Sequence, residues 1–464
     1  MHKVRLNNQI IEAPDGIRLS DILMKSGEKL HHPCGGKGTC KKCLVKVNGK
    51  MELSCQYKIK SDINVVLPEN DDIFSETGVN ENGKITENCC FCLDIGTTTL
   101  ALALVSLDKR EIIKVKTATN PQRAFGGDVL TRIEYCNKND VSELQTCLIN
   151  KINEMIDDIG VSTANSMYVS GNTTMLHIFF GVDPSSMGVA PYTPVFIESK
   201  DINANKTGIK NIKKVISLPC ISAFVGADIV AGLNYTESPE NNKYNLLVDL
   251  GTNAEIVLYN KNELYCTSAA AGPCFEGANI SCGMSATDGA IYSYSIDGSY
   301  ETINNTQPKG ICGTGLIDII AVLLKKGIID ETGYMEKEEV FITDSIKLTQ
   351  KDVRQYQLAK SAVYSGISAL LTEKLISFED IESLFVSGGF SAKINIYNAV
   401  KTGLLPKELK DKIVVLNNSS LLGTIKYVLE KNDLSAYTKN AEYIDLSTNE
   451  KFSKSFIENL DFHL

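Results

Sequence analysis

One strand–turn–strand pattern occurs twice in this 464-residue chain. The segment Phe91–Val105 reads as a strand, an Asp-Ile-Gly-Thr turn at Asp94–Thr97 and a second strand. The segment Leu246–Tyr259 repeats this order around an Asp-Leu-Gly-Thr turn at Asp249–Thr252. The two aspartates lie 155 residues apart, a spacing expected when two similar α/β subdomains are joined in tandem. The sequence therefore predicts a duplicated α/β fold for most of the chain.

Composition and charge divide the chain further. Its 43% hydrophobic residues suffice for the cores of several domains and exclude a mainly disordered chain. Residues 1–70 carry a formal charge of +5 within a chain of net charge −9, which indicates a separate N-terminal module with its own partners. A polar stretch without periodicity follows, as in a linker. We therefore predict a first module at 1–68, a linker at 69–88, and α/β subdomains at 89–240 and 241–464, the second with a C-terminal segment.

The chain also lacks the usual signals for membranes and export. Met1–Ile11 contains charged and amide side chains instead of the apolar core of a signal peptide. No apolar stretch reaches the roughly 18 residues that a membrane helix requires. The negative net charge disfavours nucleic acid as a partner. The sequence predicts a cytoplasmic protein, in which a dense cysteine cluster indicates metal binding more than disulfides.

Short apolar patterns in the first module predict a small sheet around one helix. Leu19, Ile22 and Leu23 give one helical stripe. Strands are predicted at Val4–Leu6, Gln9–Glu12, Leu44–Val47 and Ile63–Leu67. This order of elements fits a β-grasp sheet.

Four cysteines of this module, Cys34, Cys40, Cys43 and Cys55, have the spacing C-x5-C-x2-C-x11-C. The spacing differs by one residue from the first gap of plant-type iron–sulfur proteins. Glycines between the first two cysteines allow the loop to wrap a cluster and to point N–H groups at its sulfurs. A structural zinc site is the alternative, although zinc sites usually pair two short C-x2-C turns. We predict that the four thiolates hold a [2Fe–2S] cluster. For a further group, Cys89, Cys90 and Cys92, a redox or ligand role is one alternative, and the other is a strand that enters a core and uses cysteine as a small apolar side chain.

The two Asp-x-Gly-Thr turns have the chemistry of a phosphate site. Such a turn places backbone N–H groups and threonine hydroxyls where phosphate oxygens can bind. Two turns facing each other across a cleft could hold a triphosphate, with Asp94 and Asp249 available for Mg²⁺ and its waters. The phosphate-binding residues predicted from the two turns are Gly96, Thr97, Thr98, Gly251, Thr252 and Asn253.

These turns resemble those of the acetate kinase, sugar kinase, Hsp70 and actin superfamily, a ribonuclease H-like fold whose ATP sites use two of them. The resemblance implies a glycine turn beside adenosine, and Gly388-Gly389 follows an apolar strand where it should. Two segments, Gly171–Thr174 and Asn417–Gly423, resemble the connections that cross between subdomains in this superfamily. Gly313 opens an apolar helix and is either a further nucleotide contact or a packed helix start. Asp228 and Asp128 are candidates for orienting water, or are helix caps.

An N-terminal [2Fe–2S] module followed by such an ATPase resembles one family, the ATP-dependent reductive activators of corrinoid proteins. Further matching segments are Asn120–Gln122, Gly272–Ala278, Ile280–Met284 and Glu442–Ser447 with Phe452 and Phe456. The resemblance implies one-electron transfer from the cluster to Co(II) of a corrinoid protein, giving Co(I), coupled to ATP. It also favours a homodimer. One departure is that larger members carry an additional domain between the first module and the ATPase.

The basic first module suggests a second partner. Lys37, Lys41 and Lys42 lie within or beside the cysteine loop. On an otherwise acidic protein they indicate a docking face for an acidic electron donor such as a small ferredoxin or flavodoxin; the alternative is a solvated surface. Two other functions fit parts of the pattern: a small-molecule kinase with a redox-sensing appendage, and an activator of a radical dehydratase, which normally carries a [4Fe–4S] cluster between subunits.

Overall fold

The first module is a five-stranded mixed sheet with one helix. A computed structural model describes residues 1–6, 9–26, 43–67, 88–161, 163–239 and 241–462 of the chain. The elements of this module are β1 (His2–Leu6), β2 (Gln9–Ala13), α1 (Leu19–Lys25), β3 (Leu44–Val47), β4 (Lys50–Leu53) and β5 (Ile63–Val66). The strand order is β2-β1-β5-β3-β4, with β1 and β5 parallel at the centre. Alternating side chains of the strands and Leu19 and Leu23 of the helix form its core. The predicted linker lies outside the described residues except for Asn88.

The first α/β half is built on a six-stranded sheet of order β10-β11-β9-β6-β7-β8. Its central strands β6 and β7 are buried along almost their whole length, as expected for strands covered on both faces. The elements are β6 (Cys89–Ile95), β7 (Thr99–Ser106), β8 (Glu111–Thr119), α2 (Val129–Cys136), α3 (Ser142–Ile159), β9 (Ala164–Gly171), α4 (Thr173–Phe179), β10 (Asp201–Asn203), β11 (Ile212–Ser217) and α5 (Ala227–Thr236).

The second half has a six-stranded sheet of order β21-β20-β12-β13-β14-β22. Its elements are β12 (Tyr244–Leu250), β13 (Ala254–Tyr259), β14 (Leu264–Ala269), β15 (Ala290–Tyr294), β16 (Tyr300–Thr302), β17 (Gly310–Ile311), α6 (Gly313–Lys325), β18 (Glu339–Phe341), β19 (Lys347–Thr349), α7 (Gln350–Glu373), β20 (Ile381–Ser387), α8 (Ile396–Lys401), β21 (Ile413–Val415), α9 (Ser419–Glu430), α10 (Ser435–Lys439), β22 (Ala441–Tyr443) and α11 (Glu450–Glu458). A long core helix, α7, starts at a capping box formed by Thr349 and Asp352.

The two halves repeat one topology. In each, three antiparallel strands in sequence are followed by a strand that returns parallel to the first, giving β8-β7-β6-β9 and β14-β13-β12-β20. The register is also shared: Asp94 lies opposite Ser170 in the first sheet, and Asp249 lies opposite Ser387 in the second. The predicted duplicated α/β fold is confirmed.

The halves exchange one helix each. Helix α5 follows the first sheet but packs Ile229 and Leu233 into a core with Leu247 of the second sheet. Helix α9 follows the second sheet, and its Leu421 packs with Cys90 of the first. Of the two connections predicted from the sequence, Asn417–Gly423 makes such a crossing. The other, Gly171–Thr174, instead begins α4, which packs within the first half; the crossing on that side is made by α5.

Among the helices of the described residues, none combines the length and the apolar character needed to cross a membrane.

Candidate functional site

The two Asp-x-Gly-Thr turns face a common cleft between the halves. This cavity has a volume of about 310 Å³. The first turn contributes Gly96, Thr97 and Thr98 to its wall, and the second contributes Gly251, Thr252 and Asn253. Asp94, Asp249 and Asp228 also line it, together with Gly388 and Gly389. Residues predicted from three distant parts of the sequence therefore lie around one space.

The first turn is held by buried polar side chains. The Arg132 guanidinium, on α2, is fully buried and donates from Nη2 to the Thr97 carbonyl oxygen at 2.5 Å. Asn120 donates from its backbone N to the Thr98 carbonyl and from its side chain to the Gly96 carbonyl, both at 2.8 Å. The Asn120–Gln122 segment of the sequence thus braces this turn. Its backbone is fixed before any ligand binds, which lowers the entropy lost on binding.

The glycine turn at 388–389 meets the end of β12. Gly388 has φ +124°, and a Cβ added there would lie 2.1 Å from the Leu250 carbonyl oxygen, so this close approach requires glycine. Beyond it the cleft wall becomes more apolar, with Phe390, Ile303 and Tyr292. The Lys393 Nζ lies 4.5 Å from the centroid of the Tyr292 ring. This end of the cleft suits a flat aromatic ring, and the turns suit phosphate.

Carboxylates converge on the cleft from both halves. Burial raises the pKa of Asp249 to about 6, opposed by a hydrogen bond from Ser387 and reinforced by Asp94. Burial, then the charges of Asp249 and Asp94, raise the pKa of Asp228 to about 8. Burial followed by the same kind of repulsion also raises the pKa of Glu255 well above its usual range. Carboxylates this close destabilise one another unless a cation or protons compensate them.

Asp94 is positioned by the helix that crosses from the other half. Its carboxylate accepts hydrogen bonds from the Asn418 side chain and the Ser420 hydroxyl, each at 2.8 Å. Ser420 lies 2.9 Å from the Ser170 hydroxyl of β9, and Ser419 lies 2.7 Å from that of Ser387 on β20. The first turn of α9 therefore contacts both sheets at the base of the cleft.

One carboxylate bridges the two turns. Glu276 accepts a hydrogen bond from the Thr98 hydroxyl at 2.9 Å and another from the Thr252 hydroxyl at 2.6 Å. Arg123, from the first half, is a buried guanidinium close enough to Glu276 for their charges to attract. It donates to the Ser285 hydroxyl of the second half at 3.3 Å.

Two residues that the sequence suggested for the site, Gly313 and Asp128, do not line the cleft among the described residues. Gly313 begins α6 and packs against the Phe275 carbonyl; its neighbours Cys312 and Thr314 line the cleft, but Gly313 is not among the described lining residues. Asp128 caps α2, with its side chain accepting from the Thr131 backbone N at 2.7 Å. Three residues that the sequence reasoning did not single out are Arg132, Glu255 and Glu276.

A weak sequence signal existed for two of these three residues. Glu255 follows Asp249 by six residues and Glu276 lies in the Gly272–Ala278 segment, so both were near recognised motifs. Arg132 had no signal, because its partner Thr97 is 35 residues away.

Of the four cysteines predicted to hold a cluster, Cys43 and Cys55 lie within the residues that the structure describes. The Cys43 and Cys55 thiols are buried side by side, with Sγ atoms 3.2 Å apart, and form no disulfide. Burial raises the pKa of the Cys43 thiol to about 11. Thiolates around one tetrahedral metal lie about 3.7 Å apart, for metal–sulfur bonds near 2.3 Å, and the Cys43 and Cys55 sulfurs lie closer than this. Within the described part of the chain, no group of three or more His, Cys, Asp or Glu side chains could hold a metal ion. Cys34 and Cys40 lie outside the described residues. Cys89, Cys90 and Cys92 are fully buried in β6, as core side chains.

The fold and the cleft define a two-lobed α/β nucleotide-binding protein of the sugar kinase and actin class. Family models agree: that of the RACo middle region matches residues 89–239, and that of the C-terminal domain of RACo, the ASKHA domain, matches residues 243–463. Because the two models describe consecutive regions of one protein and together span most of this chain, it belongs to the RACo family.

Similar proteins are known by sequence and structure. "Corrinoid activation enzyme RamQ" of Eubacterium limosum is 27% identical over 570 aligned residues, covering 96% of each chain. "[Co(II) methylated amine-specific corrinoid protein] reductase" of Methanosarcina barkeri is 27% identical over 423 residues, covering 80% of this chain and 76% of that protein. A solved structure of a "Reductive activator for corrinoid,iron-sulfur protein" is 26% identical with a TM-score of 0.74, and covers 100% of this chain and 98% of its own.

Proposed function

We propose that this protein is an ATP-dependent reductive activator of a corrinoid protein, which transfers one electron to Co(II) and yields Co(I). The family and the names of its similar proteins support this reaction class. The observation that carries the ATP dependence is the pair of phosphate turns meeting across one cleft, joined through Glu276. A kinase that needs an acceptor, or an activator of a radical dehydratase, is not favoured by these similarities.

In this proposal the cleft binds MgATP with its phosphates between the turns. The Thr97, Thr98 and Thr252 hydroxyls and the backbone N–H groups of both turns are the phosphate donors. Asp94 and Asp249 are the carboxylates for Mg²⁺ and its waters, and the cation would compensate the burial and the smaller repulsion from Asp94 that raise the pKa of Asp249. Asp228, in the first turn of α5, is the residue proposed to orient the attacking water. Gly388 and Gly389 lie beside adenosine.

The cluster site belongs to the first module. Cys34, Cys40, Cys43 and Cys55 are the proposed ligands, and the buried Cys43 and Cys55 thiols lie side by side. A [2Fe–2S] cluster of this type supplies, when bound, one electron at a potential near about −400 mV. The chain's own contribution is to bury Cys43 and Cys55 in a small module whose core is separate from those of the two halves.

Reduction of Co(II) to Co(I) needs a stronger reductant than a cluster at this potential. In the proposal, the nucleotide therefore shifts the electron-transfer equilibrium towards Co(I). For one electron, about 59 mV corresponds to a tenfold bias, or about 1.4 kcal/mol. A coupling of roughly 3 kcal/mol between nucleotide state and partner binding is therefore equivalent to roughly 130 mV. Such a coupling lies within the usual range for two-site proteins.

The test is the Co(I) absorbance of a Co(II) corrinoid protein mixed with the reduced protein, with and without MgATP. We expect Co(I) to accumulate only with ATP, and Asp249→Asn to abolish the ATP effect without removing iron. ATP turnover without any phosphoryl acceptor is expected alongside. If Co(I) formed equally without nucleotide, or if turnover required a metabolite as acceptor, the proposal would be wrong.

The electron donor is proposed to be acidic, such as a ferredoxin or flavodoxin. The +5 charge of residues 1–70 supports an electrostatic encounter that weakens as salt rises, since the Debye length falls to about 8 Å near 0.15 M. Changing Lys41 and Lys42 to Glu should slow cluster reduction by the protein donor several-fold and leave reduction by an uncharged chemical reductant unaltered. Equal rates for both proteins at low and high salt would contradict a basic docking face.

A further inference from the structure

The position of Glu276 is unusual for an acidic residue in a phosphate site. Its two carboxylate oxygens accept from hydroxyls of different halves: Thr98 belongs to the first sheet and Thr252 to the second. The first hydrogen bond joins residues 178 positions apart in the chain. One side chain therefore connects the two turns across the cleft.

The backbone that carries Glu276 is firmly held. It ends a short 3₁₀ turn, Pro273–Glu276, followed by Gly277 at φ +79°, where a Cβ would lie 2.2 Å from the Met284 carbonyl oxygen. The preceding Phe275 is buried and stacks on Phe390, with ring centroids 5.2 Å apart. Because the main chain here is fixed, a ligand that enters the cleft would move the Glu276 side chain and the turns it contacts, and not the backbone of Glu276.

A phosphate and Glu276 compete for the same donors. Each threonine hydroxyl has one proton, which it donates either to the carboxylate or to a phosphate oxygen. A phosphate bound to the same hydroxyls as the Glu276 carboxylate would also be repelled by it, and this repulsion is strong in a partly buried cleft. Arg123 lies close to Glu276, so a phosphate that displaces the carboxylate finds a buried cation nearby.

We propose that Glu276 is a positioning residue which ties the two turns together when no nucleotide is bound, and which the terminal phosphate of ATP displaces from Thr98 and Thr252. Release of this bridge frees the two halves to change their separation, and so links nucleotide binding to the rest of the molecule. This inference rests on the proposed function, namely that the cleft binds ATP, and adds the residue that responds to it.

The first test is Glu276→Gln, which keeps the size of the side chain and removes its charge. We expect the Kd for MgATP, measured by calorimetry on the full chain, to fall about tenfold, which corresponds to about 1.4 kcal/mol. The matched control is Asp288→Asn, which removes one charge from the same half; Asp288 accepts from Thr306 and is not among the described residues lining the cleft. Its Kd should stay within about twofold of wild type. A residue with a purely structural role would not tighten binding when changed.

A second variant, Glu276→Asp, keeps the charge but is too short to reach both hydroxyls. Without nucleotide, we expect faster hydrogen exchange at residues 96–99 and 251–253 than in wild type, with no such change in Asp288→Asn. This measurement also decides the matter if Glu276→Gln does not fold. Unchanged exchange in Glu276→Asp would overturn the bridge.

The outcomes separate this inference from the proposed function. Weaker ATP binding by Glu276→Gln would overturn the inference, because the carboxylate would then hold the nucleotide or its metal. Unaltered binding in a variant that still activates the corrinoid protein would overturn the inference alone. If wild type bound no ATP, the proposed function and this inference would both fail.

Discussion

Arg132 offers a direct test of how the first phosphate turn is built. The guanidinium is fully buried in α2 and donates to three oxygens: the Thr97 carbonyl at 2.5 Å, and the Gly126 carbonyl and the Gln122 side chain, each at 3.1 Å. Arg132→Met fills similar space without any donor. The three acceptors then lose their partner, and the turn keeps only the hydrogen bonds from Asn120.

The expected loss of stability follows from two opposing contributions. Hydrogen bonds from a charged group contribute about 1.5–3 kcal/mol each, so three give roughly 6 kcal/mol. Burial opposes this, because it is the main reason that the pKa of Arg132 is lowered to about 10. At about 1.36 kcal/mol per pKa unit this penalty is roughly 3 kcal/mol, and methionine relieves it. The net destabilisation is therefore roughly 3 kcal/mol, within the range for breaking a buried charged contact.

The assay is urea unfolding followed by tyrosine fluorescence, since the chain has 18 tyrosines and no tryptophan. The matched control is Arg354→Met, because Arg354 is exposed although it too donates to a carbonyl, that of Thr332. We expect less than about 1 kcal/mol for the control and about tenfold weaker ATP binding only for Arg132→Met. An unchanged unfolding midpoint would refute the energetic argument, and lost stability with unaltered ATP affinity would refute the link to the turn.

Three further predictions concern other parts of the molecule. Cys43→Ser should remove iron, measured by absorbance and iron content, and leave ATP affinity unaltered because its core is separate; equal losses of iron and affinity would show dependent modules. Asp249→Asn should lower ATP turnover about a hundredfold with the cluster spectrum intact; normal turnover would contradict the two-turn site. His177 has a pKa lowered by burial, and accepts from the Val195 backbone N at 3.0 Å. Below about pH 6.5 the unfolded chain therefore binds more protons than the folded one, and the free energy of unfolding should decrease as the pH is lowered. His177→Gln should make this decrease less steep in unfolding measured at several pH values. An unchanged pH dependence would assign the decrease to other groups.

The central strands could be predicted because their signals are local. Two pairs of strands, β6 with β7 and β12 with β13, are largely apolar runs joined by a tight turn. The residue types of each turn favour the turn backbone, so the apolar pattern and the turn signal predict the same hairpin. β4, Lys50–Leu53, was missed since its KMEL sequence has no clear alternation and its pairing partner is β3. The crossing at Gly171–Thr174 was wrong because a small-residue turn does not reveal which sheet the next helix packs on.

The site residues, too, could be predicted only where the signal is local in the sequence. The two Asp-x-Gly-Thr turns and the glycine turn are defined by their own residue types and order, so the sequence alone could indicate them, and the structure brings them to one cleft. Arg132, Glu255 and Glu276 act through partners in other elements. Glu276 meets Thr98 across 178 residues, and such a contact depends on the packing of two halves instead of on any local pattern. A charged residue near a motif is, by itself, most often solvated.

The helix α9 explains how a small change at the turns can affect both halves. Within its first turn, Ser420 binds Asp94 and Ser170 of the first sheet, while Ser419 binds Ser387 of the second. These contacts lie at the base of the cleft, opposite a bridge that a single side chain makes across the turns. In the proposed displacement of Glu276, the two halves would move about the hydrogen bonds made by α9, because only the hydrogen bonds between the turns are exchanged with the ligand. The energy available for this motion is limited by the difference in ATP affinity between the two arrangements, which is the quantity that the Glu276 variants change.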